Sequence, residues 1–350
     1  MTAALPISAR SQKREASPYN AAMTSTLSPT MPYRFCVAPM LDWTDRHCRY
    51  FHRLLSPHAR LYTEMVTAPA LYYGDATRHL DFDAAEHPLA LQLGGSDPAM
   101  LAHAARLGAR WGYDEINLNC GCPSERVQSG SFGACLMKEP TLVADCVRAM
   151  REAVSIPVTV KHRIGVDDVE DYGFVRDFVG AVHEAGCGVF IVHARNAILS
   201  GLSPKENREI PPLRYEVAQQ LKRDFPRCTI VLNGGLTDWP TIETQLATGI
   251  DGVMVGRWAY HQPYCLAEAE ARLFGDGAPL PTRRAVLEAL MPYIETQLRQ
   301  GVLLRAITRH LLGLYHGQPR ARLFRQRLSD PQQLERQSVA VLHEALALVE

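Results

Sequence analysis

The run Val158-Thr159-Val160-Lys161, continued by His162-Arg163, decides how the fold is read. It is short, apolar and β-branched, as an extended strand requires, yet it ends on three side chains that titrate or carry charge. Seven other runs share that form: Phe35–Met40, Leu61–Met65, Leu89–Leu93, Glu115–Leu118, Val189–Val192, Ile230–Leu232 and Gly252–Val255. Stretches with helical spacing separate them, among them Pro98–Arg110, Thr141–Ala153, Phe174–Ala185 and a short one at Thr241–Ala247. Strands alternating with helices make βα units and a parallel sheet, and eight such units point to a closed (β/α)8 barrel. A doubly wound open sheet is the alternative, but no Gly-x-Gly-x-x-Gly follows the first run, so a Rossmann dinucleotide site is not indicated.

The strand ends carry the chemistry. They read Pro39-Met40, Glu64-Met65, Gln92, Asn117–Asn119, Lys161–Arg163, His193–Arg195, Asn233–Gly235 and Gly256-Arg257. A barrel of this kind builds its active site at the C-terminal ends of its strands. Turn formation accounts for the glycines but not for Gln92, Lys161 and His193 together. Asn233-Gly234-Gly235 and Gly256-Arg257 follow the last two runs, where barrels often bind phosphate because glycine lets backbone N–H groups approach an anion. Arg257 can add a charge-assisted contact there.

Lys161 has three readings: a Schiff-base lysine of an aldolase, a cation against an electron-rich cofactor ring, or a salt-bridged barrel lysine. Burying its ammonium without a partner would be costly. His193 reads as a ligand contact or a satisfied core histidine. Cys122 lies in Asn117-Leu118-Asn119-Cys120-Gly121-Cys122-Pro123-Ser124. Gly121 and Pro123 restrict that loop, so the thiol is presented as a nucleophile or a general acid. Cys120 reads as a small buried hydrophobe.

Ala38-Pro39-Met40-Leu41-Asp42-Trp43-Thr44-Asp45, Asn117–Ser124 and Val192-His193-Ala194-Arg195 resemble the tRNA-dihydrouridine synthases, flavin enzymes that reduce uridine in tRNA. The likeness runs from about Tyr33 to the C-terminus, and Leu-Asn-x-Gly-Cys-Pro-Ser is its most specific part. Trp43–Phe51 and Leu199–Arg208 resemble the A subfamily, associated with D-loop positions 20 and 20a. The resemblance implies FMN as cofactor, covered by Pro39, Met40 and Leu41, with Gln92 on the ring edge and Lys161 facing the charge of the reduced ring. His193 would touch the flavin, and Asn233, Gly234, Gly235, Gly256 and Arg257 would hold its phosphate. Asn119 and Arg163 would orient the flipped uracil. NADPH (or NADH) would reduce FMN, hydride would pass to C6, and Cys122 would protonate C5. Cys120 departs from the pattern, because the family usually has an apolar residue there.

The chain has 350 residues, 47% of them hydrophobic, with 37 Lys+Arg against 37 Asp+Glu. The even balance hides a segregation. Thr296–Ser329 holds no acid but seven arginines, Arg299, Arg305, Arg309, Arg320, Arg322, Arg325 and Arg327, which leaves 30 Lys+Arg against 37 Asp+Glu elsewhere. Arginine suits phosphate because its planar fork binds bidentately. This window is expected to grip the tRNA backbone through Arg309, Arg322 and Arg325, with Lys205 and Arg208 adding contacts. Tyr315 and Phe324 are interleaved with it, as RNA contacts or as core.

None of the nine Cys falls in a CxxC pair, so neither structural zinc nor a disulfide framework is expected. No apolar run approaches the roughly 18 residues needed to span a bilayer. Residues 1–31 read as a disordered leader without the apolar stretch of a secretory signal. Residues 32–277 are expected to be the FMN-binding barrel and 282–350, beyond Gly275-Asp276-Gly277-Ala278-Pro279, a small helical tRNA-binding domain. A cytoplasmic monomer without metal is expected. The leading rival is a small-molecule FMN oxidoreductase of the dihydroorotate dehydrogenase or ene-reductase kind, which needs no acid-free arginine window. A Schiff-base aldolase and a non-catalytic RNA-binding module are further rivals.

Overall fold

The computed structural model describes residues 32–349 apart from 125, 126, 128, 129, 131, 170 and 276–278. The expected leader and the centre of the expected linker therefore lie outside the described residues. Nine parallel strands form one sheet: β1 (Phe35–Val37), β2 (Leu61–Tyr62), β3 (Val66–Thr67), β4 (Leu89–Gly94), β5 (Glu115–Cys120), β6 (Val158–Arg163), β7 (Val189–His193), β8 (Thr229–Asn233) and β9 (Gly252–Val255). Their order is β1-β9-β8-β7-β6-β5-β4-β2, with β3 also on β4. The sheet closes where Val37 N–H donates to the Arg60 carbonyl at 2.9 Å and Arg60 N–H donates to that of Phe35 at 3.0 Å. The expected barrel is present.

One run behaves differently from its reading. Leu61–Met65 does not make a single strand, because Thr63 interrupts the ladder. Its hydroxyl accepts the Gln92 N–H at 3.0 Å in place of a backbone carbonyl. The chain then rejoins β4 only at β3, leaving Glu64 and Met65 in the gap. Elsewhere the register brings the polar strand ends to one level, pairing Asn119 with Lys161, Arg163 with His193, and His193 with Asn233.

Asp-initiated caps explain where several helices start. Asp97, Asp171 and Asp238 each accept a backbone N–H from the first turn of Pro98–Trp111, Tyr172–Glu184 and Trp239–Ala247, an interaction typically worth about 1 kcal/mol. Beyond the barrel, Arg283–Arg299, Leu304–Thr308, Ala321–Ser329, Pro331–Leu334 and Ala340–Ala347 are helical, as the spacing predicts. They share one continuous apolar core with the barrel's outer layer. The joint is made on the helix Arg46–Leu55: His47 Nδ1 lies 2.7 Å from Tyr293 Oη, and Tyr50 stacks on Tyr293 at 3.9 Å. Tyr315 and Phe324 prove to be core, buried with ring centroids 4.7 Å apart.

Candidate active site

A buried amide ladder climbs the inside of the barrel toward its mouth. Thr159 Oγ1 donates to Glu115 at 2.5 Å, Asn117 Nδ2 to Thr159 at 2.8 Å, Gln92 Nε2 to Asn117 at 2.8 Å and Asn119 Nδ2 to Gln92 at 2.9 Å. Each polar side chain on this path has a partner, as burial demands. At the top, Asn119 Oδ1 accepts the N–H groups of both Gly121 and Cys122 at 3.0 Å.

Above the ladder a cavity of about 270 Å³ opens at the C-terminal ends of the strands. Pro39, Met40, Leu41, Gln92, Asn119, Cys122, Lys161, Arg163, His193, Arg208, Asn233, Gly234, Gly235, Gly256 and Arg257 all line it. Eight separate segments of sequence thus converge on one space. Lys205, Arg309, Arg322 and Arg325 do not line it; all four are exposed, Lys205 beside the cavity-lining Pro204. Trp43, Met65, Met254 and Trp258 also line it and were missed as site residues. Met65 is itself one of the strand-end residues and Trp258 follows another, so position at those ends was the available signal.

The two neighbouring thiols part company here. Cys120 is fully buried in the outer core, and burial pushes its thiol well above the ordinary range. Cys122 faces the cavity, with its sulfur 3.4 Å from Ser124 Oγ.

The lining is electropositive. Lys161 has no carboxylate or hydrogen-bond partner among the described residues, and burial, followed by Arg163 and Arg208, brings its pKa down to about 7. Arg163 is buried and lowered to about 9, mainly by burial. Its guanidinium donates to three carbonyls, Gly121 at 3.1 Å and Asn196 and Asn207 at 3.0 Å. It therefore clamps the Cys122 loop to the segment after β7. Burial and the surrounding arginine and lysine charges push His193 well below its ordinary value, so the ring is neutral. Arg257 is ion-paired with Glu209.

The residues present fit a phosphorylated, electron-accepting ring. Gly234 and Gly235 adopt φ of +114° and +66°. A Cβ on Gly235 would sit 2.4 Å from Leu213 Cδ1, and one on Gly234 2.8 Å from His193 Cδ2. The Gly235 N–H has no acceptor among the described residues, which suits an anion cradle. Lys161, half-buried and without a carboxylate partner among the described residues, lines the same cavity, where an anionic ring would favour its charged form.

Barrel, glycine pair, lysine and thiol meet at one cavity. The family model for dihydrouridine synthase (Dus) matches residues 36–349, so the chain belongs to that family and is an oxidoreductase. Among curated proteins it is 59% identical over 311 residues to the tRNA-dihydrouridine(20/20a) synthase of Xanthomonas campestris pv. campestris, covering 87% of this chain and 91% of that one. It is 58% identical over 325 residues to the protein of that name from Pseudomonas putida, covering 93% and 96%. The match from Yersinia pestis is 56% identical over 328 residues, covering 93% and 94%.

Among solved structures, a 2-naphthoyl-CoA reductase complex aligns with TM-score 0.54 at 10% identity, over 67% of this chain and 49% of that one. TcOYE with pHBA aligns with TM-score 0.51 at 12% identity, over 72% and 92%. These two show the fold alone. Among the described residues no helix is long and apolar enough to cross a membrane, and no group of three His, Cys, Asp or Glu could hold a metal ion.

Proposed function

We propose that the protein reduces uridine to 5,6-dihydrouridine in the D-loop of tRNA, at positions 20 and 20a, with FMN as its cofactor and NADPH as reductant. One observation carries this reading: Cys122 lines the same cavity as the unpaired Lys161 and the Gly234-Gly235 cradle. The positions rest on the relatives' name.

Asn233, Gly234, Gly235, Gly256 and Arg257 would hold the FMN phosphate. Pro39, Met40, Leu41, Gln92 and His193 would surround the ring, and Lys161 would stand against its negative charge. FMN held there would supply the hydride for C6 of the uracil, with NADPH as its reductant. The base must first leave its stack, because its C5–C6 edge is otherwise inaccessible. Hydride at C6 leaves negative charge at C5 and O4, and Cys122, held by Asn119, delivers the proton to C5. Positioned proton transfer of this kind typically contributes about 10²–10⁴-fold. Asn119 and Arg163 orient the base, while their hydrogen bonds fix the loop that bears the thiol.

Exposed Arg309, Arg322 and Arg325, with Lys205 and Arg208, would contact phosphates. This basic surface favours tRNA over a small-molecule substrate of the dihydroorotate or ene-reductase kind. A cytoplasmic monomer accords with a tRNA substrate and with nine free cysteines. Mapping dihydrouridine in tRNA from a deletion strain tests the reading. Loss at positions 20 and 20a, restored by the wild-type chain, is expected; undiminished dihydrouridine at both would count against it.

A further inference from the structure

We propose that Trp43, backed by Tyr260, is a stacking platform for the RNA base adjacent to the uridine being reduced. The proposal rests on the tRNA reading above. Trp43 lines the cavity, is itself only half-buried, and lies two residues past Leu41, which is 68% exposed. Its ring lies 4.3 Å from that of Tyr260, at an interplanar angle of 11°. His261 is nearly perpendicular to both, 5.1 Å from Trp43 and 5.6 Å from Tyr260.

Those distances close a compact triangle, so His261 flanks the edge of the stack. A ring covering the second face of Trp43 would be about twice as far from Tyr260 as from Trp43. Tyr260 is supported in turn by His310, edge-on at 5.8 Å. One face of the indole is therefore packed, and among the described residues no ring covers the other.

The platform is held rigid. Trp43 N–H donates to the Met40 carbonyl at 3.0 Å. Thr44 Oγ1 accepts the Met40 N–H at 2.9 Å and lies 3.2 Å from the Met40 carbonyl. Asp45 caps the next helix through the N–H groups of His47 and Cys48, and its other oxygen meets His310 Nε2 at 3.0 Å. With its backbone fixed in this way and its ring stacked on Tyr260, the indole loses little further freedom when a ligand arrives.

A nucleobase fits this surface on physical grounds. Extruding the target uridine strips a stacking partner from its neighbour and leaves that base's face exposed. Trp43 lines the cavity and is two residues from Asp45, whose carboxylate is 3.9 Å from the Arg309 guanidinium, so a strand gripped at Arg309 would pass close to the indole. Base–aromatic stacking is tolerant of sequence because every base has a π-face.

The test uses the FMN-loaded protein and two tRNA transcripts carrying 2-aminopurine on the 5′ or the 3′ side of the target uridine. Binding to the wild type is expected to quench one of the two. Trp43→Ala should abolish that quenching and raise Kd by about 5- to 150-fold, the range of one lost stack. Trp43→Phe should restore much of both, with FMN content equal throughout. If Trp43→Ala fails to fold, Tyr260→Leu, which removes the backing ring, should weaken both readouts.

Quenching by neither transcript, or quenching and Kd unchanged in Trp43→Ala, would overturn the platform while leaving the tRNA reading intact. FMN loss in Trp43→Ala would assign the indole to the cofactor and also overturn it. A wild-type protein that binds no tRNA would overturn the tRNA reading itself.

Discussion

Asn119 Oδ1 accepts the backbone N–H of Cys122 at 3.0 Å, while Asn119 Nδ2 donates to Gln92 at 2.9 Å. One carboxamide thus ties the loop that presents the thiol to the ladder inside the barrel. Asn119→Ala would free that loop, and small misplacements at a reacting centre cost about 10²-fold. We expect kcat to fall by about that factor with FMN retained, measured by single-turnover dihydrouridine formation. An unaltered kcat would show that Cys122 is positioned by something else.

Cys122 and Cys120 should separate cleanly in function. Cys122→Ala is expected to bind FMN and lose about 10²–10⁴-fold in product formation. Cys120→Ala removes a buried sulfur and should cost about 1 kcal/mol of stability with product formation kept. Mass spectrometry of tRNA and thermal unfolding of both variants check the pair; wild-type yield from Cys122→Ala would remove it from the proton-donor role.

Lys161 gives FMN binding a pH dependence of defined sign. Its folded-state pKa, about 7, lies below the ordinary 10.5. The unfolded chain holds a proton that the folded apo-protein lacks in that window, so this group's destabilisation grows as pH falls from 10.5 toward 7. The anionic reduced ring beside Lys161 favours its charged form, and binding of reduced FMN takes up a proton. Affinity for reduced FMN should therefore decline as pH rises through and above 7, and Lys161→Met should flatten that slope. Equal slopes in the two proteins, in anaerobic titrations with reduced FMN, would contradict the assignment.

Gly235 carries a φ of +66° and has Leu213 where a Cβ would go. Gly235→Ala should cost about 1–3 kcal/mol in backbone strain and lower the flavin bound per protein. Full flavin occupancy in this variant would place the phosphate elsewhere.

Arg322 and Arg325 are exposed and have no carboxylate partner among the described residues, whereas Arg327 is paired with Glu344. The double variant Arg322→Ala/Arg325→Ala should reduce the slope of log Kd against log salt for tRNA by about two, about one per phosphate contact. Arg327→Ala should change the slope less. An unchanged slope in the double variant would move the RNA grip off this helix.

The order of strands and helices was legible in the chain, because βα alternation is a local pattern and barrels place polar residues at one end. Gln92, Lys161, His193 and the two glycine sites could be picked out from their positions after apolar runs. Other features depend on contacts between distant segments. Thr63 breaks the second strand through the Gln92 N–H, which belongs to another strand. Cys120 and Cys122 are two residues apart, and only the closed barrel sends one into the outer core and the other into the cavity. The Arg163 clamp spans Gly121, Asn196 and Asn207. Composition and spacing were enough to place the reactive groups at one end of a barrel. Which of them meet, and which face inward, was decided by closure of the sheet, since that alone brings residues far apart in sequence within hydrogen-bonding range.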